Sequence, residues 1–204
     1  MRTALFYDTE TTGLPLFSEP SEDPRQPHIV QLAACLVDLD KRETISSMNV
    51  IVEPDGWEIP AEVSAIHGIT TEHALAHGVS ESMAVGMFMS LWERVQRRIA
   101  HNESFDARIL RIALMRHESP EEADRWKAGH AECTQILSTP ILKLPPTAKM
   151  IAARRNHHKS ANLGEAYEFF TGKKLEGAHN AMVDVTACMD VWFAIQDRAL
   201  AAAA

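Results

Sequence analysis

The sequence predicts an α/β domain with a mixed sheet, because three apolar strands open the chain and amphipathic helices alternate with short strands after them. The chain has 204 residues, a length that favours one domain. Hydrophobic residues make up 46% and charged residues 24%, which is ordinary for a globular protein. We therefore predict one domain over residues 1–198 and an alanine-rich tail, 199–204, that is either unstructured or the end of a helix.

Three apolar segments predict a β-meander at the start of the chain. Thr3–Asp8 is a short apolar run with aromatic residues, and His28–Asp38 is a longer, mostly apolar run. Ser46–Val52 predicts the third strand, which the polar turn DLDKRET joins to the second. Residues 15–28 contain four prolines and many polar side chains, so we expect a loop there.

The middle and the end of the chain predict helices that alternate with short strands. Apolar residues recur at spacings of three and four over Ser82–Arg98, which predicts an amphipathic helix. The other predicted elements are a short strand at Ile99–Asn102, a helix at Ser104–Arg116, a strand at Ala131–Ile136, and helices at Ala161–Thr171 and His179–Arg198.

The cysteine pattern and the hydropathy exclude several classes of protein. Cys35, Cys133 and Cys188 are widely spaced and odd in number, and no CxxC pair indicates a zinc or redox centre. They predict reduced thiols and a cytoplasmic location. No apolar run approaches the ~20 residues of a membrane span, and no secretory signal opens the chain, so we expect no membrane association.

Asp8 and Glu10 place two carboxylates near the end of the first predicted strand. Residues two apart on a strand point to the same side, so we expect the two side chains to lie together. Like charges at that distance repel each other unless a cation lies between them. A ligand set of oxygen atoms favours a hard cation such as Mg²⁺ or Mn²⁺. The alternative interpretation is a solvated strand end, which the pair alone does not exclude.

Two further segments combine a histidine with an acid. In His101–Asp106 a short strand ends and a helix begins, with Asp106 in the first helical turn. The helix dipole also favours an acid there, so ordinary helix-end chemistry is the alternative. His179 and Asp184 are five residues apart at the start of the last helix, a spacing that lets them flank one substrate. Taken alone, a histidine near a helix start is usually structural, and an aspartate on a helix is usually solvated.

The segments FYDTETTGL, HNESFD and HNAMVD, in this order, resemble the three motifs of the DEDD exonuclease superfamily. The form of the last segment is similar to that of the DEDDh branch, which includes the proofreading subunit of bacterial replicative DNA polymerase and ribonuclease T. The resemblance runs from about Thr3 to Gln196 and includes Ile66–Thr70, similar to a segment that lines the nucleotide pocket. It implies a ribonuclease-H-like α/β fold, with a five-stranded mixed sheet and helices on both faces.

The resemblance implies that four carboxylates and one histidine are catalytic. Asp8, Glu10 and Asp184 are expected to hold a first Mg²⁺ or Mn²⁺ ion. Asp8 also bridges to a second ion, which Asp106 reaches through water. Two ions ~3.5–4 Å apart activate water on one side of a phosphodiester and stabilise the leaving oxygen on the other. His179 would take the proton from the attacking water, since the reference pKa of histidine lies near neutrality.

The resemblance also implies contacts to the terminal nucleotide. The Thr11 backbone and the Leu14 side chain resemble a clamp for the 3′ end, and His67 and Phe105 resemble residues that touch the terminal sugar and base. Ordinary core packing is the alternative for Leu14 and Phe105. The complete expected set is Thr11, Leu14, His67, Asn102 and Phe105.

The implied function is a metal-dependent 3′→5′ exonuclease that hydrolyses terminal phosphodiesters of single-stranded DNA and releases nucleoside 5′-monophosphates. One alternative is a 3′→5′ exoribonuclease that trims RNA ends, because only contacts to the 2′-hydroxyl would separate the two. Another is a non-catalytic module that binds nucleic acid or a polymerase, a role that has no need for all five catalytic residues. No tether for a polymerase or repair partner follows the last predicted helix, so a stand-alone nuclease is favoured; the oligomeric state stays open.

The net charge of −8 runs against phosphate binding, which favours basic surfaces. A site that holds divalent cations is itself acidic, and its ions supply the local positive charge. Cys133–Leu163 contains no Asp or Glu, which predicts a basic surface that follows the phosphate backbone, with plain solvated surface as the alternative. Its basic residues are Lys143, Lys149, Arg154, Arg155 and Lys159, with His157 and His158.

Overall fold

A five-stranded mixed sheet forms the centre of the computed structural model, which describes residues 2–203. The strands are β1 (Thr3–Thr11), β2 (Ile29–Asp38), β3 (Glu43–Ile51), β4 (Arg98–Ala100) and β5 (Ala131–Cys133). They lie in the order β3-β2-β1-β4-β5. β1 to β3 pair antiparallel, whereas β4 is parallel to β1 and β5 is parallel to β4. The predicted mixed sheet is confirmed.

Nine helices lie among residues 2–203, and they cover both faces of the sheet. They are α1 (Ala61–His67), α2 (Thr71–His77), α3 (Glu81–Trp92), α4 (Glu103–His117), α5 (Pro120–Ala128), α6 (Thr134–Leu142), α7 (Ala148–Ala152), α8 (Leu163–Thr171) and α9 (Ala181–Ala203). The core on one face includes buried residues of α3, α4 and α5, and the core on the other includes buried residues of α9. None of these helices is long and apolar enough to cross a membrane.

β1 contributes to both cores because its side chains alternate between the two faces of the sheet. Leu5 and Tyr7 lie in the core beside α3, α4 and α5, where the Tyr7 and Trp126 rings meet edge-on with centroids 5.6 Å apart. Phe6 lies on the opposite side, and its ring centroid is 5.8 Å from that of Trp192 on α9. The first strand is therefore held from both faces, which makes its end a rigid place for a site.

β1 continues further than its apolar run predicts. The expected strand ends at Asp8, but pairing with β2 continues through Glu10, which lies opposite Gln31. The register shifts between Glu10 and Thr11, and the strand ends there. The backbone hydrogen bonds of the longer β2 therefore extend β1 through the polar residues, and both acids lie inside regular strand.

The helix predicted over Ser82–Arg98 is too long at its C-terminal end. α3 ends at Trp92, and Arg98 begins β4, which pairs with Leu5 and Phe6 of β1. The Arg98 side chain is buried and donates to Glu103. Sheet pairing and this buried contact are tertiary, so the local helical period did not reveal them.

Other predicted boundaries also differ from the structure. Ala131–Ile136 was expected to be all strand, but the strand stops at Cys133, where its three-residue partner β4 ends, and α6 begins. α8 begins at Leu163, because the side chain of Asn162 caps it. α9 begins at Ala181 and not at His179, and it continues through residue 203, so residues 199–203 are helical. The domain boundary at residue 198 stays a prediction.

Candidate active site

The carboxylates of β1 lie at the end of the strand where the chain leaves the sheet. Burial raises the pKa of Glu10 to about 7, and the nearby charge of Asp184 adds to the effect. Burial also raises the pKa of Asp8 well above its usual range, with further contributions from the charges of Asp106, Asp184 and Glu10. Such shifts arise where negative groups crowd together without a compensating positive charge.

Asp106 reaches this place from the first turn of α4. Its Oδ1 accepts hydrogen bonds from the Thr9 backbone N–H at 3.0 Å and from the Thr9 hydroxyl at 2.7 Å. The residue is only 3% exposed, and burial raises its pKa to about 8 although both hydrogen bonds act in the opposite direction. Asp106 is therefore anchored to the strand that carries Asp8 and Glu10.

Asp184 and His179 reach the same place from the start of α9. Oδ2 of Asp184 accepts a hydrogen bond from the His179 backbone N–H at 3.0 Å. Oδ1 of Asp184 is buried and has no hydrogen-bond partner within residues 2–203. One ligand atom each from Glu10, His179 and Asp184 lies within 4.8 Å of the others. This spacing places the His179 imidazole beside two of the carboxylates that were expected to hold a metal ion.

The start of α9 is held against β2 by a side chain that the sequence patterns did not single out. The Gln31 Oε1 accepts a hydrogen bond from the Ala181 backbone N–H at 3.1 Å, and Ala181 itself is fully buried. His179 lies just before the helix with φ of 65°, in the left-handed region that residues other than glycine seldom adopt. Its side chain is exposed, whereas its backbone is fixed by Asp184.

One cavity of ≈ 590 Å³ joins these groups. All ten residues of the predicted catalytic and substrate-binding sets line it. Thr9, Gly13, Val63, Ile66 and His101 complete the lining, and of these only Val63 lies outside the sequence segments that resemble the family motifs. The structure thus brings every predicted site residue to one place, while the role of each stays a prediction.

The predicted substrate-binding residues differ in how they are held. The Thr11 hydroxyl donates to the Gly13 carbonyl at 2.8 Å, which shapes the turn after β1. Leu14 is 76% exposed, so core packing does not explain it. His67 Nδ1 accepts from the Ile69 backbone N–H at 3.1 Å, and its buried Nε2 has no partner within residues 2–203.

Asn102 and Phe105 lie at the start of α4. Asn102 precedes the helix with φ of 62°, again left-handed, and its carbonyl accepts from the Phe105 backbone N–H at 2.9 Å. The Phe105 side chain is partly exposed at the cavity and also packs against the core around α3 and α4. The packing alternative is therefore partly correct for Phe105.

Thr9 and His101 support the site although the sequence analysis gave them no role. Thr9 holds Asp106, as described above. His101 joins two other segments to the cavity wall: its Nδ1 is 2.9 Å from the Thr134 hydroxyl and its Nε2 is 3.0 Å from the Ala161 carbonyl. The only signal in the sequence is their position inside the acidic motifs.

The side chains fit a divalent cation. The expected ligand atoms are carboxylate oxygens with an imidazole beside them, burial raises the pKa of Asp8, Glu10 and Asp184, and the buried Oδ1 of Asp184 has no hydrogen-bond partner within residues 2–203. Oxygen-rich sets of this kind favour hard ions.

Comparisons with known proteins identify the family. The family model of exonucleases, RNase_T, matches residues 5–192. A search of curated protein sequences gave no match. Solved structures of exonuclease I share the fold, and the chain spans about two fifths of the length of those proteins, 41% to 44%.

Three of these structures illustrate the likeness. E. coli exonuclease I in complex with a dT13 oligonucleotide is 20% identical, with a TM-score of 0.72 and coverage of 98% of this chain and 43% of that one. The zinc-bound complex of the E. coli enzyme with single-stranded DNA is 19% identical, with a TM-score of 0.72 and coverage of 97% and 41%. Product-bound exonuclease I is 20% identical, with a TM-score of 0.70 and coverage of 97% and 44%.

The ribonuclease-H-like fold and the resemblance to the DEDD exonuclease superfamily are both confirmed. Members of such families are hydrolytic nucleases that depend on divalent metal ions, in agreement with the carboxylates and the histidine that meet at the end of β1. The match over residues 5–192 spans most of the sequence, and the chain therefore belongs to the RNase_T family of exonucleases.

Proposed function

We propose that the protein is a DEDDh-type 3′→5′ exonuclease that hydrolyses terminal phosphodiesters of single-stranded DNA and releases nucleoside 5′-monophosphates. The observation that carries the proposal is the meeting of Asp8, Glu10 and Asp184 beside His179 in one cavity, with a buried Asp184 oxygen that lacks a partner. A binding module has no use for such crowded carboxylates, whose mutual repulsion disfavours the empty site.

The four carboxylates divide into two ligand groups in this proposal. Asp8, Glu10 and Asp184 would hold one Mg²⁺ or Mn²⁺ ion, and Asp8 and Asp106 would hold a second one. Bound divalent ions supply positive charge beside the phosphodiester, which favours attack by water and departure of the 3′ oxygen. The hydrogen bonds from Thr9 leave Asp106 one free oxygen and fix its direction.

His179 takes the proton from the attacking water. Its imidazole is exposed at the cavity, while the hydrogen bond from its backbone to Asp184 keeps it beside the ligand group. A neutral imidazole has a nitrogen lone pair that can accept this proton, and the exposed position of the ring lets it release the proton to solvent afterwards.

The terminal nucleotide occupies the remainder of the cavity. Leu14 is an exposed apolar side chain at its edge, and Phe105 offers a partly exposed ring. Such surfaces stabilise an unpaired base by stacking and burial, with little preference for sequence. His67, Asn102 and the Thr11 backbone are the polar groups available to the sugar and the 3′ hydroxyl.

DNA is the proposed substrate because structures that share the fold contain DNA: E. coli exonuclease I has been solved with dT13 and dA16 oligonucleotides. An exoribonuclease would in addition need a polar partner for the 2′-hydroxyl. We also propose a cytoplasmic location, since Cys35, Cys133 and Cys188 are all free thiols.

The test compares strands of one sequence as single-stranded DNA, duplex DNA and RNA, each labelled at the 5′ end and incubated with Mn²⁺ or with EDTA. We expect a ladder of shortened single-stranded DNA and free nucleoside 5′-monophosphates only when Mn²⁺ is present. Faster degradation of RNA would favour the exoribonuclease. Binding of the strand without cleavage in Mn²⁺ would favour the non-catalytic module.

A further inference from the structure

We propose that the basic segment, defined as residues 143–159, binds the part of the nucleic-acid strand that lies outside the active-site cavity, on the 5′ side of the terminal nucleotide. The identity of the ligand as a single strand rests on the proposed function. The charges, the position and the shape of the segment support the proposal independently of the catalytic residues.

The basic segment has cations that no acid neutralises. Lys143, Lys149, Arg154 and Arg155 are all exposed, and within residues 2–203 none of the four forms an ion pair. The fifth cation, Lys159, pairs with Glu165 and is not part of the free set. Four unpaired cations on a chain with a net charge of −8 form a local site for phosphate groups.

The two ends of the basic segment meet beside the wall of the active-site cavity. The Lys159 backbone N–H donates to the Leu144 carbonyl at 3.1 Å, which brings the two ends of the segment together. Two residues later, the Ala161 carbonyl is 3.0 Å from Nε2 of His101, and His101 lines the cavity. A strand that leaves the cavity over His101 therefore reaches the basic segment next.

A small cavity beside the segment suits a base. It has a volume of ≈ 350 Å³ and is lined by Ile136, Pro140, His157 and His158, among others. The Ile136 side chain is 71% exposed, so it offers an apolar surface that a ligand could cover. Imidazole rings and an aliphatic surface can pack against an unpaired base, and the cations of the basic segment can bind the phosphate groups of the same strand. The combination fits a nucleic-acid strand better than it fits an acidic peptide.

The test removes three charges and leaves polar, uncharged side chains in their place. The variant carries Lys149→Gln, Arg154→Gln and Arg155→Gln, and the control carries Lys41→Gln, Arg94→Gln and Lys127→Gln. The control residues are also exposed and unpaired within residues 2–203, and none of the three lines the active-site cavity. Both variants therefore change the net charge equally, but only one changes the basic segment.

Binding of a 12-nucleotide oligothymidylate is measured by fluorescence anisotropy in EDTA over a range of salt concentrations. We expect the segment variant to bind at least about tenfold more weakly at low salt, with a slope of log Kd against log salt that is lower by about 2, since each phosphate contact contributes about 0.7. The control should stay within about twofold of wild type. Equal weakening in both variants, or none in either, would overturn the proposal.

Measuring hydrolysis of a short and a long substrate tests strand binding by the segment separately from the proposed nuclease activity. Hydrolysis of the p-nitrophenyl ester of thymidine 5′-monophosphate, a substrate too short to reach the segment, should be unchanged in the variant, while the KM for the oligomer rises. An equal loss on both substrates would contradict a role in strand binding. Should wild-type protein hydrolyse neither substrate, the proposed function fails, and the anisotropy comparison still decides whether the segment binds a strand.

A separate variant tests the contact between the small cavity and a nucleobase. Ile136→Ser removes exposed apolar surface and should weaken binding of the 12-mer by about threefold, the worth of some tens of Å² of buried apolar area. The effect should vanish on an oligomer with abasic sites. The same weakening on the abasic strand would exclude a base from the small cavity.

Discussion

The two oxygens of the Asp184 carboxylate have different environments. Oδ2 is bonded to the His179 backbone, whereas Oδ1 is buried and has no partner within residues 2–203. A buried polar atom without a partner costs about 1–3 kcal/mol of stability, which a bound cation would recover. Asp184 therefore links the position of His179 to the occupancy of the metal site.

Asp184→Asn should affect activity and stability in opposite directions. The amide oxygen can still accept from the His179 backbone, but the ligand charge is gone, so hydrolysis of DNA should fall by about 10³-fold or more. Because burial raises the pKa of Asp184, the uncharged side chain should raise the stability of the metal-free protein. Rates and denaturant unfolding in EDTA measure the two effects. A wild-type rate would exclude Asp184 from the site.

His179→Ala should lower the rate and preserve metal binding. Loss of a general base costs about 10²–10⁴-fold, while the carboxylates that bind Mn²⁺ are unchanged. Calorimetric titration with Mn²⁺ and initial rates on single-stranded DNA separate the two readouts. His130→Ala, at an exposed residue outside the cavity, is the control. If both variants retain full activity, His179 has no part in proton transfer.

Glu81 joins three secondary-structure elements behind the site. It lies at the start of α3, accepts the Ile29 backbone N–H of β2 at 2.9 Å, and contacts Arg116 and His117 of α4 at 2.7 Å each. Burial alone would raise the pKa of Glu81, but hydrogen bonds from His117 and His28, together with the charge of Arg116, hold it below its ordinary value. This one carboxylate fixes α3 and α4 relative to the sheet.

Glu81→Gln should destabilise the fold by about 2–4 kcal/mol at pH 6, because it leaves Arg116 without its buried partner. The folded-state pKa lies below the unfolded value of 4.5, so the carboxylate stabilises the fold above that pH and loses this effect as the pH falls. The difference between variant and wild type in urea unfolding should therefore shrink below pH 4.5. Glu93→Gln, at an exposed ion pair with Arg125, should change stability by less than about 1 kcal/mol.

The charge of the whole molecule has an uneven distribution. The net charge is −8, four carboxylates meet at the end of β1, and the unpaired cations of the basic segment lie on the far side of His101. Divalent ions would reduce the negative potential of the cavity, and the basic segment would retain the strand between catalytic events. Because the negative charge is concentrated at this cavity, the free energy of unfolding should depend on pH and on whether metal ions are bound there.

The metal-free protein should lose stability as the pH rises from about 4.5 to 8. The pKa values of Glu10 and Asp106 are raised to about 7 and about 8, so the folded state keeps protons that the unfolded chain releases in this range. Stability therefore falls with pH, by on the order of 1–3 kcal/mol after allowance for solvent at the partly exposed Glu10. Thermal unfolding in EDTA measures this decline, and Mn²⁺ should remove most of it. Constant stability in EDTA would contradict the crowding of the carboxylates.

Local sequence patterns were sufficient to predict the strands and helices whose formation depends on residues close together along the chain. The apolar runs predict β1 to β3, and the spacing of two puts Asp8 and Glu10 on one side of a strand, since strand alternation is a local property of the backbone. The order of the three motifs was sufficient to identify the exonuclease family, which the match to the family model confirms. The short helices α1, α2, α5, α6 and α7 were not predicted, because few residues carry each pattern and tertiary contacts select it.

The meeting of the distant side chains depends on the tertiary structure alone. Asp106 comes from a helix on one face of the sheet and Asp184 from a helix on the other, and both reach the end of β1 only because the strand order places β1 at the centre. The left-handed backbones of Asn102 and His179 and the tie between Gln31 and α9 likewise arise from packing. Residue chemistry and local spacing are encoded along the chain, whereas distances between remote residues are determined by how helices pack on the sheet.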